Sequence, residues 1–212
     1  MLHHWILLSF FIFLGRVWAQ DERYYRQILS GELPEFYQES KEGLGPQLSI
    51  RGASYKIDLN EDGVDETIQP QKRDGVDWIE IKNSQEAKVF EAKLLAMGVE
   101  SQIYKIKFVK ISPKVKALIL FLDEGKTQSK KFESTARLYF ITFENNDLKS
   151  MKITQGPHFF HERESQRDQY FRREYMVNIY DVNNDGIREI AIQFNHIQKI
   201  YQYAGSGEWR VY

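Results

Sequence analysis

The chain predicts an all-β fold of antiparallel, blade-like units with a short N-terminal helical segment, and three observations predict it. From Leu48 onward, apolar runs, some alternating and some continuous, recur between turn-forming residues. Aromatic residues make up 14% of the 212 residues, with 12 Tyr and 14 Phe, side chains that pack well on a pleated surface. No stretch alternates strand with helix, so the sheets should be antiparallel rather than built from crossovers. A two-sheet β-sandwich is the alternative arrangement.

The elements follow in chain order. Residues 1–19 read as an export signal: Trp5 to Leu14 is apolar but for Ser9, and Val17-Trp18-Ala19 offers a small residue for cleavage. That run falls short of the roughly 20 residues a membrane-spanning helix needs. His3 and His4 stand where Lys or Arg is usual, which leaves a short uncleaved anchor as the alternative. The expected location is exported, periplasmic or secreted. Residues 20–46 read as a helical segment, with Tyr24, Tyr25, Ile28 and Leu29 at helical spacing and Gly31 and Pro34 as interruptions. Residues 47–212 form the β-domain. Strands are expected at Ser54–Leu59, Glu66–Lys72, Val76–Lys82, Val89–Met97, Gln102–Ile111, Lys116–Asp123 and Ala136–Glu144. Ala117 to Leu122, A-L-I-L-F-L, is continuous and so reads as buried on both faces. Asn145-Asn146-Asp147 marks a turn. Residues 157–175 are dense in mixed charge and read as a solvated loop or short surface helix.

Two acidic segments carry the most information. Asp58, Asn60, Asp62, Gly63 and Glu66 recur at one constant spacing as Asp181, Asn183, Asp185, Gly186 and Glu189. Beyond the loops, W-I-E-I at 78–81 aligns with I-Y-Q-Y at 200–203, and 84–90 aligns with 206–212. Two repeated units are therefore expected, at 54–90 and 177–212, with 91–156 holding degenerate copies. Calcium prefers six to eight hard oxygen ligands, and a wound loop presents alternate side chains to one centre. The candidate metal ligands are Asp58, Asn60, Asp62, the Val64 carbonyl and Glu66, and Asp181, Asn183, Asp185, the Ile187 carbonyl and Glu189. Gly63 and Gly186 permit the sharp turn. Asp-Gly turns also form without any metal, their Asp and Asn side chains bonding the local backbone. The recurrence of Asn at the third and Glu at the ninth position favours calcium.

Glu stands at the ninth position rather than the twelfth, so the loop is not an EF-hand. The pattern D-x-[DN]-x-D-G-x-x-[DE] between two strands resembles the calcium loops of FG-GAP/VCBS-type repeats. That resemblance implies integrin-α-like, propeller-like blades with calcium as cofactor, in a binding or adhesion scaffold. It covers residues 54–90 and 177–212. Clear F-G and G-A-P signatures are missing, and two copies are too few to close a propeller.

Other chemistry finds little footing. There is no cysteine, which removes disulfides, thiolate catalysis and zinc–cysteine sites. Lys+Arg 29 against Asp+Glu 30 gives no broad charge case for nucleic acid. No nucleophile elbow and no phosphate-cradling glycine loop is present. Asp74-Gly75, Asp77, Asp123 and Glu124 read as turn or strand-end residues, and Trp78 and Trp209 as core. The leading expectation is a non-enzymatic, exported calcium-binding domain with a protein or glycan partner and no membrane span after signal removal. The alternative is a metal-dependent secreted hydrolase using His158, His161 and Glu162 or Glu164 beside an acidic loop.

Overall fold

The computed structural model describes residues 47–49, 54–96, 100–126, 133–164, 170–195 and 197–212, all within the unit Leu44–Tyr212. The signal and the helical segment expected at 1–46 lie outside the described residues. Fourteen strands are described: β1 Gln47–Ser49, β2 Tyr55–Ile57, β3 Glu66–Arg73, β4 Val76–Lys82, β5 Lys88–Leu94, β6 Glu100–Ser112, β7 Val115–Lys126, β8 Glu133–Glu144, β9 Lys152–Glu164, β10 Tyr170–Glu174, β11 Met176–Tyr180, β12 Glu189–Phe194, β13 Ile197–Gly205 and β14 Glu208–Val211. The fold is all-β and antiparallel throughout. Among the described residues no helix is long and apolar enough to cross a membrane.

The strands form three sheets. The central one has six strands in the order β1-β6-β7-β8-β9-β10, and two four-stranded meanders, β2-β3-β4-β5 and β11-β12-β13-β14, accompany it. Side-chain alternation explains how they stack. Along β7, Leu118, Leu120 and Leu122 point into one apolar cluster with Ile57, Ile68, Ile79, Ile81 and Leu94 of the first meander. Ala117, Ile119 and Phe121 point into another with Ile190, Ile192 and Tyr203 of the second. The run A-L-I-L-F-L is thus buried on both faces, as its continuity predicts, because it lies in the middle layer of three. Each fully buried large side chain of this kind contributes about 1.5–3 kcal/mol.

The layering departs from both expected arrangements: the sheets are stacked rather than set around an axis, and they number three rather than two. The middle of the chain does not repeat the four-stranded unit. Its strands are about twice as long and make one curled sheet, bent at bulges between β6 and β7 and between β8 and β9. Residues 157–175 are also corrected: they lie largely in β9 and β10, not in a surface loop or helix. Aromatic residues interleaved with the charges make this a strand pair. Phe159 is buried, Arg172 stacks on Phe160 at 5.7 Å, and the Tyr170 hydroxyl donates to Glu162.

The two meanders share strand order and turn order, yet they bury opposite faces. In β3 the core side is Ile68, one residue removed from Thr67, whereas β12 turns Ile190 and Ile192 inward, and Ile190 is the residue that aligns with Thr67. Trp209 accordingly packs into the core, 5.0 Å from the Phe140 ring, and donates to the Thr142 hydroxyl. Trp78 lies on the outward face beneath Arg73, so the core expectation holds for one tryptophan only. The third strands also slip relative to the sequence alignment. Ile81 pairs with Ile68, and Ile200 pairs with Ala191, so Ile81 corresponds to Ile200 and not to Tyr203. The β3–β4 hairpin is longer and closes on Asp74-Gly75, both at positive φ, while β12–β13 closes at Phe194 and Ile197.

Candidate metal centres

The two acidic loops join β2 to β3 and β11 to β12, and they repeat one set of hydrogen bonds. In the first, Asp58 accepts from the backbone N–H of Asp62 at 3.2 Å and of Gly63 at 2.9 Å. In the second, Asp181 accepts from Asp185 at 3.1 Å and from Gly186 at 2.8 Å. Asn60 and Asn183 each accept from the N–H two residues on, and each donates its amide to the following Asp, Asp62 or Asp185. Val64 N–H donates to Asp62, and Ile187 N–H to Asp185. Gly63 and Gly186 sit at φ 84° and 83°, and the fourth positions, Glu61 and Asn184, at 62° and 60°. Glycine is the residue that enters this left-handed region without strain.

The ninth-position carboxylates are buried at the strand starts. Glu66 and Glu189 are each 2% exposed and accept from Leu59 N–H at 2.8 Å and Val182 N–H at 2.9 Å, closing each loop across its base. Burial pushes the Glu66 carboxyl above its ordinary range. The Leu59 N–H opposes that rise, and the nearby charges of Asp62 and Asp58 add to it. In the second loop Gln202 reaches in from β13, its amide 3.2 Å from Glu189 and 3.5 Å from Asp185. Its register counterpart, Asn83, is instead turned into its own hairpin, accepting from Gln85 and Ala87.

Both loops dock beside the β6–β7 hairpin. Lys116, 3% exposed, donates to the Leu59 carbonyl at 3.2 Å and pairs with Glu61 at 3.1 Å, and Lys110 pairs with Glu61 as well. The Lys110 and then the Lys116 contact hold the Glu61 carboxyl below its ordinary range. On the other side of the sheet, Arg188 N–H donates to the Ile111 carbonyl at 2.8 Å.

Among the described residues, no three His, Asp or Glu side chains are gathered closely enough to enclose a metal ion. The aspartates are folded onto their own backbone, as Asx-type turns do. The donor chemistry nonetheless suits calcium. Every candidate ligand is a hard oxygen, and the charges of Asp62 and Asp58 add to the burial that raises the Glu66 carboxyl, a like-charge contribution that a cation relieves. This has a pH consequence. A carboxyl whose affinity for protons is raised by folding stabilises the native state most below its unfolded value, and loses that contribution as pH climbs through its folded value. In chelator, the urea midpoint of the wild-type chain should therefore fall, relative to Glu66→Gln, as pH rises across and just above the carboxylate range. Parallel profiles for the two proteins would refute the assignment.

The histidines stand elsewhere. His158 and His161 lie on β9 towards the far end of the sheet, where Glu124 sits further along β7 than Lys116 by roughly 27 Å at the usual strand rise. A bulge opposite Ala136 and Arg137 sets both imidazoles on one face. Arg137 donates to His158 Nε2 at 2.8 Å, and Glu124, its side chain fully buried, lies 3.3 Å from both the imidazole and the Arg137 Nε. The structure thus does not bring these histidines beside either acidic loop. Asp77, second in β4, and Glu124, near the end of β7, stand at strand ends as expected, and both are buried, which the sequence reading did not anticipate. Asp77 accepts from the Ser101 hydroxyl. The signal for Glu124 was its place in the same strand, two residues beyond the doubly buried run 117–122.

No family model, curated protein or solved structure matches the chain.

Proposed function

We propose that the chain is an exported, non-enzymatic β-domain whose two acidic loops bind calcium and brace a scaffold for a protein or glycan partner. The observation that carries this reading is the shared hydrogen-bond pattern of the loops, atom for atom, at two sites flanking one central hairpin. Asp58, Asn60, Asp62, the Val64 carbonyl and Glu66 would hold one ion, and Asp181, Asn183, Asp185, the Ile187 carbonyl and Glu189 the other. The ion supplies two positive charges where three carboxylates otherwise repel. This chain's residues do the rest: Lys110 and Lys116 hold the first loop on the central sheet through its outward-facing Glu61, and the Arg188 backbone holds the second. The four-stranded form of each outer sheet, with the acidic loop between its first two strands, supports the resemblance to FG-GAP/VCBS-type blades. Thermal unfolding of the purified chain with millimolar calcium and with chelator tests the proposal. Ligand that binds only the native state raises stability by about 2.7 kcal/mol per site at a hundredfold excess over Kd, so the midpoint should rise by several degrees. An unchanged midpoint would sink the proposal.

A further inference from the structure

The outer face of the second meander carries a tyrosine laid flat across the sheet. Ile190, Ile192, Tyr201 and Tyr203 turn inward, so strand alternation puts Tyr180, Ala191, Gln193, Gln198 and Gln202 on the outward face. Tyr180 pairs with Glu189, and Gln198 with Gln193. Tyr180 and Gln198 therefore stand two strands and four residues apart, roughly 10 Å across the sheet and 13 Å along it. The Gln198 amide nonetheless donates to the Tyr180 hydroxyl at 2.8 Å. Side chains meet over that span by lying along the sheet, and Ala191 is midway between them. Ala191 faces outward yet is fully buried, because the tyrosine ring roofs it. The other side of that ring looks into solvent. Tyr180 is 41% exposed, and among the described residues no cation and no second ring stacks on it.

We propose that this face binds a neutral saccharide, with Tyr180 as its platform. The C–H face of a pyranose meets the electron-rich face of the ring. Amides surround the platform: Asn178 is the cross-strand partner of Ala191, Gln193 and Gln198 lie at one end, and Gln202 lies at the other beside Glu189. An amide donates and accepts at once, as a sugar hydroxyl does. The Tyr180 hydroxyl, accepting from Gln198, keeps its own proton to donate. Tyr212, 71% exposed and bonded to the Ile200 backbone, adds a second ring about two strand spacings from Ala191, roughly 10 Å, so a short oligosaccharide can span both. Charge sets the other occupants aside. The formal charges lie at the margins, Glu208 and Arg210 on β14 and the acidic loop beside Gln202, and that loop opposes an acidic sugar or a nucleic acid. A proline-rich peptide has few N–H donors and would leave the amide oxygens unmatched. The outward face of the first meander lacks a bare ring, since Arg73 covers Trp78 and pairs with Glu80 and Glu91. The inference rests on the proposed function only in taking the chain for a binding scaffold with a glycan partner, and it needs no metal in the loops.

Calorimetric titration with cellohexaose, xylohexaose, mannohexaose, an oligogalacturonate and an oligoproline peptide tests it, all in chelator so that calcium binding plays no part. At least one of the three neutral hexasaccharides should bind, and more tightly than the oligogalacturonate or the peptide. Tyr180→Ala should weaken that binding by about tenfold or more. The pair Asn178→Ala with Gln193→Ala, which leaves the ring and its Gln198 anchor in place, should weaken it by about fivefold or more. Lys93→Ala, on the first meander, should leave it unchanged. No binding of any neutral hexasaccharide by the wild type, tighter binding of the oligogalacturonate or the peptide, or Tyr180 and amide variants indistinguishable from wild type would each overturn the proposal.

Discussion

Truncating Phe140 to alanine should cost about 3–5 kcal/mol of folding stability, the range for removing a large aromatic from a packed core. Phe140 is fully buried, and its ring meets Trp209 at 5.0 Å and Tyr201 at 6.2 Å. It is therefore a central apolar contact of β8 with the second meander, beside the Trp209–Thr142 hydrogen bond. The site has little freedom to collapse. Gly156 is so close that a Cβ there would stand 2.9 Å from both the Phe140 ring and the Leu138 carbonyl, so the backbone of β9 already presses against this ring from one side. Urea unfolding followed by tryptophan emission measures the loss, and Trp209 should also shift in the folded spectrum as its neighbour disappears. A loss below about 1 kcal/mol, out of line with large-to-small core changes, would contradict the packing of these two layers.

The second large effect concerns the loops. Asp62→Ala and Asp185→Ala should each remove about half of the calcium-dependent stabilisation, because each deletes a ligand from one loop and leaves the other intact. Each aspartate also accepts the N–H two residues on, so a modest loss of stability, about 1 kcal/mol, is expected even in chelator. The calcium-dependent part is read as the difference in midpoint with and without the ion, which cancels that loss. The double variant should show no calcium response. A double variant that still responds would place the ion elsewhere.

Much of this was legible in the residues. Strand positions followed from apolar alternation, and β3, β4, β7 and β8 lie within a few residues of their expected bounds. The acidic loops were legible because turn chemistry is local: Asp58, Asn60 and Gly63 dictate their hydrogen bonds within six residues of chain. What sequence reasoning missed is long-range. Which face of a meander is buried depends on the sheet it meets, so Trp78 and Trp209 could not be told apart from their matching contexts. The slip of the third strand turns on hairpin length, which an alignment without gaps hides. Lys110, Lys116 and Arg188 look like ordinary strand and loop residues until the β6–β7 hairpin is placed between the two loops. The charged run at 157–175 misled for a related reason. Charge suggests exposure, but at the margin of a sheet arginines can lie along aromatic rings and keep their ends in water.

Calorimetric titration of calcium into the purified wild-type chain tests the central claim most directly. Two ions per chain should bind, with Asp62→Ala and Asp185→Ala each retaining one. No binding at millimolar calcium, or two ions still bound by both variants, would contradict the assignment of the acidic loops as calcium sites.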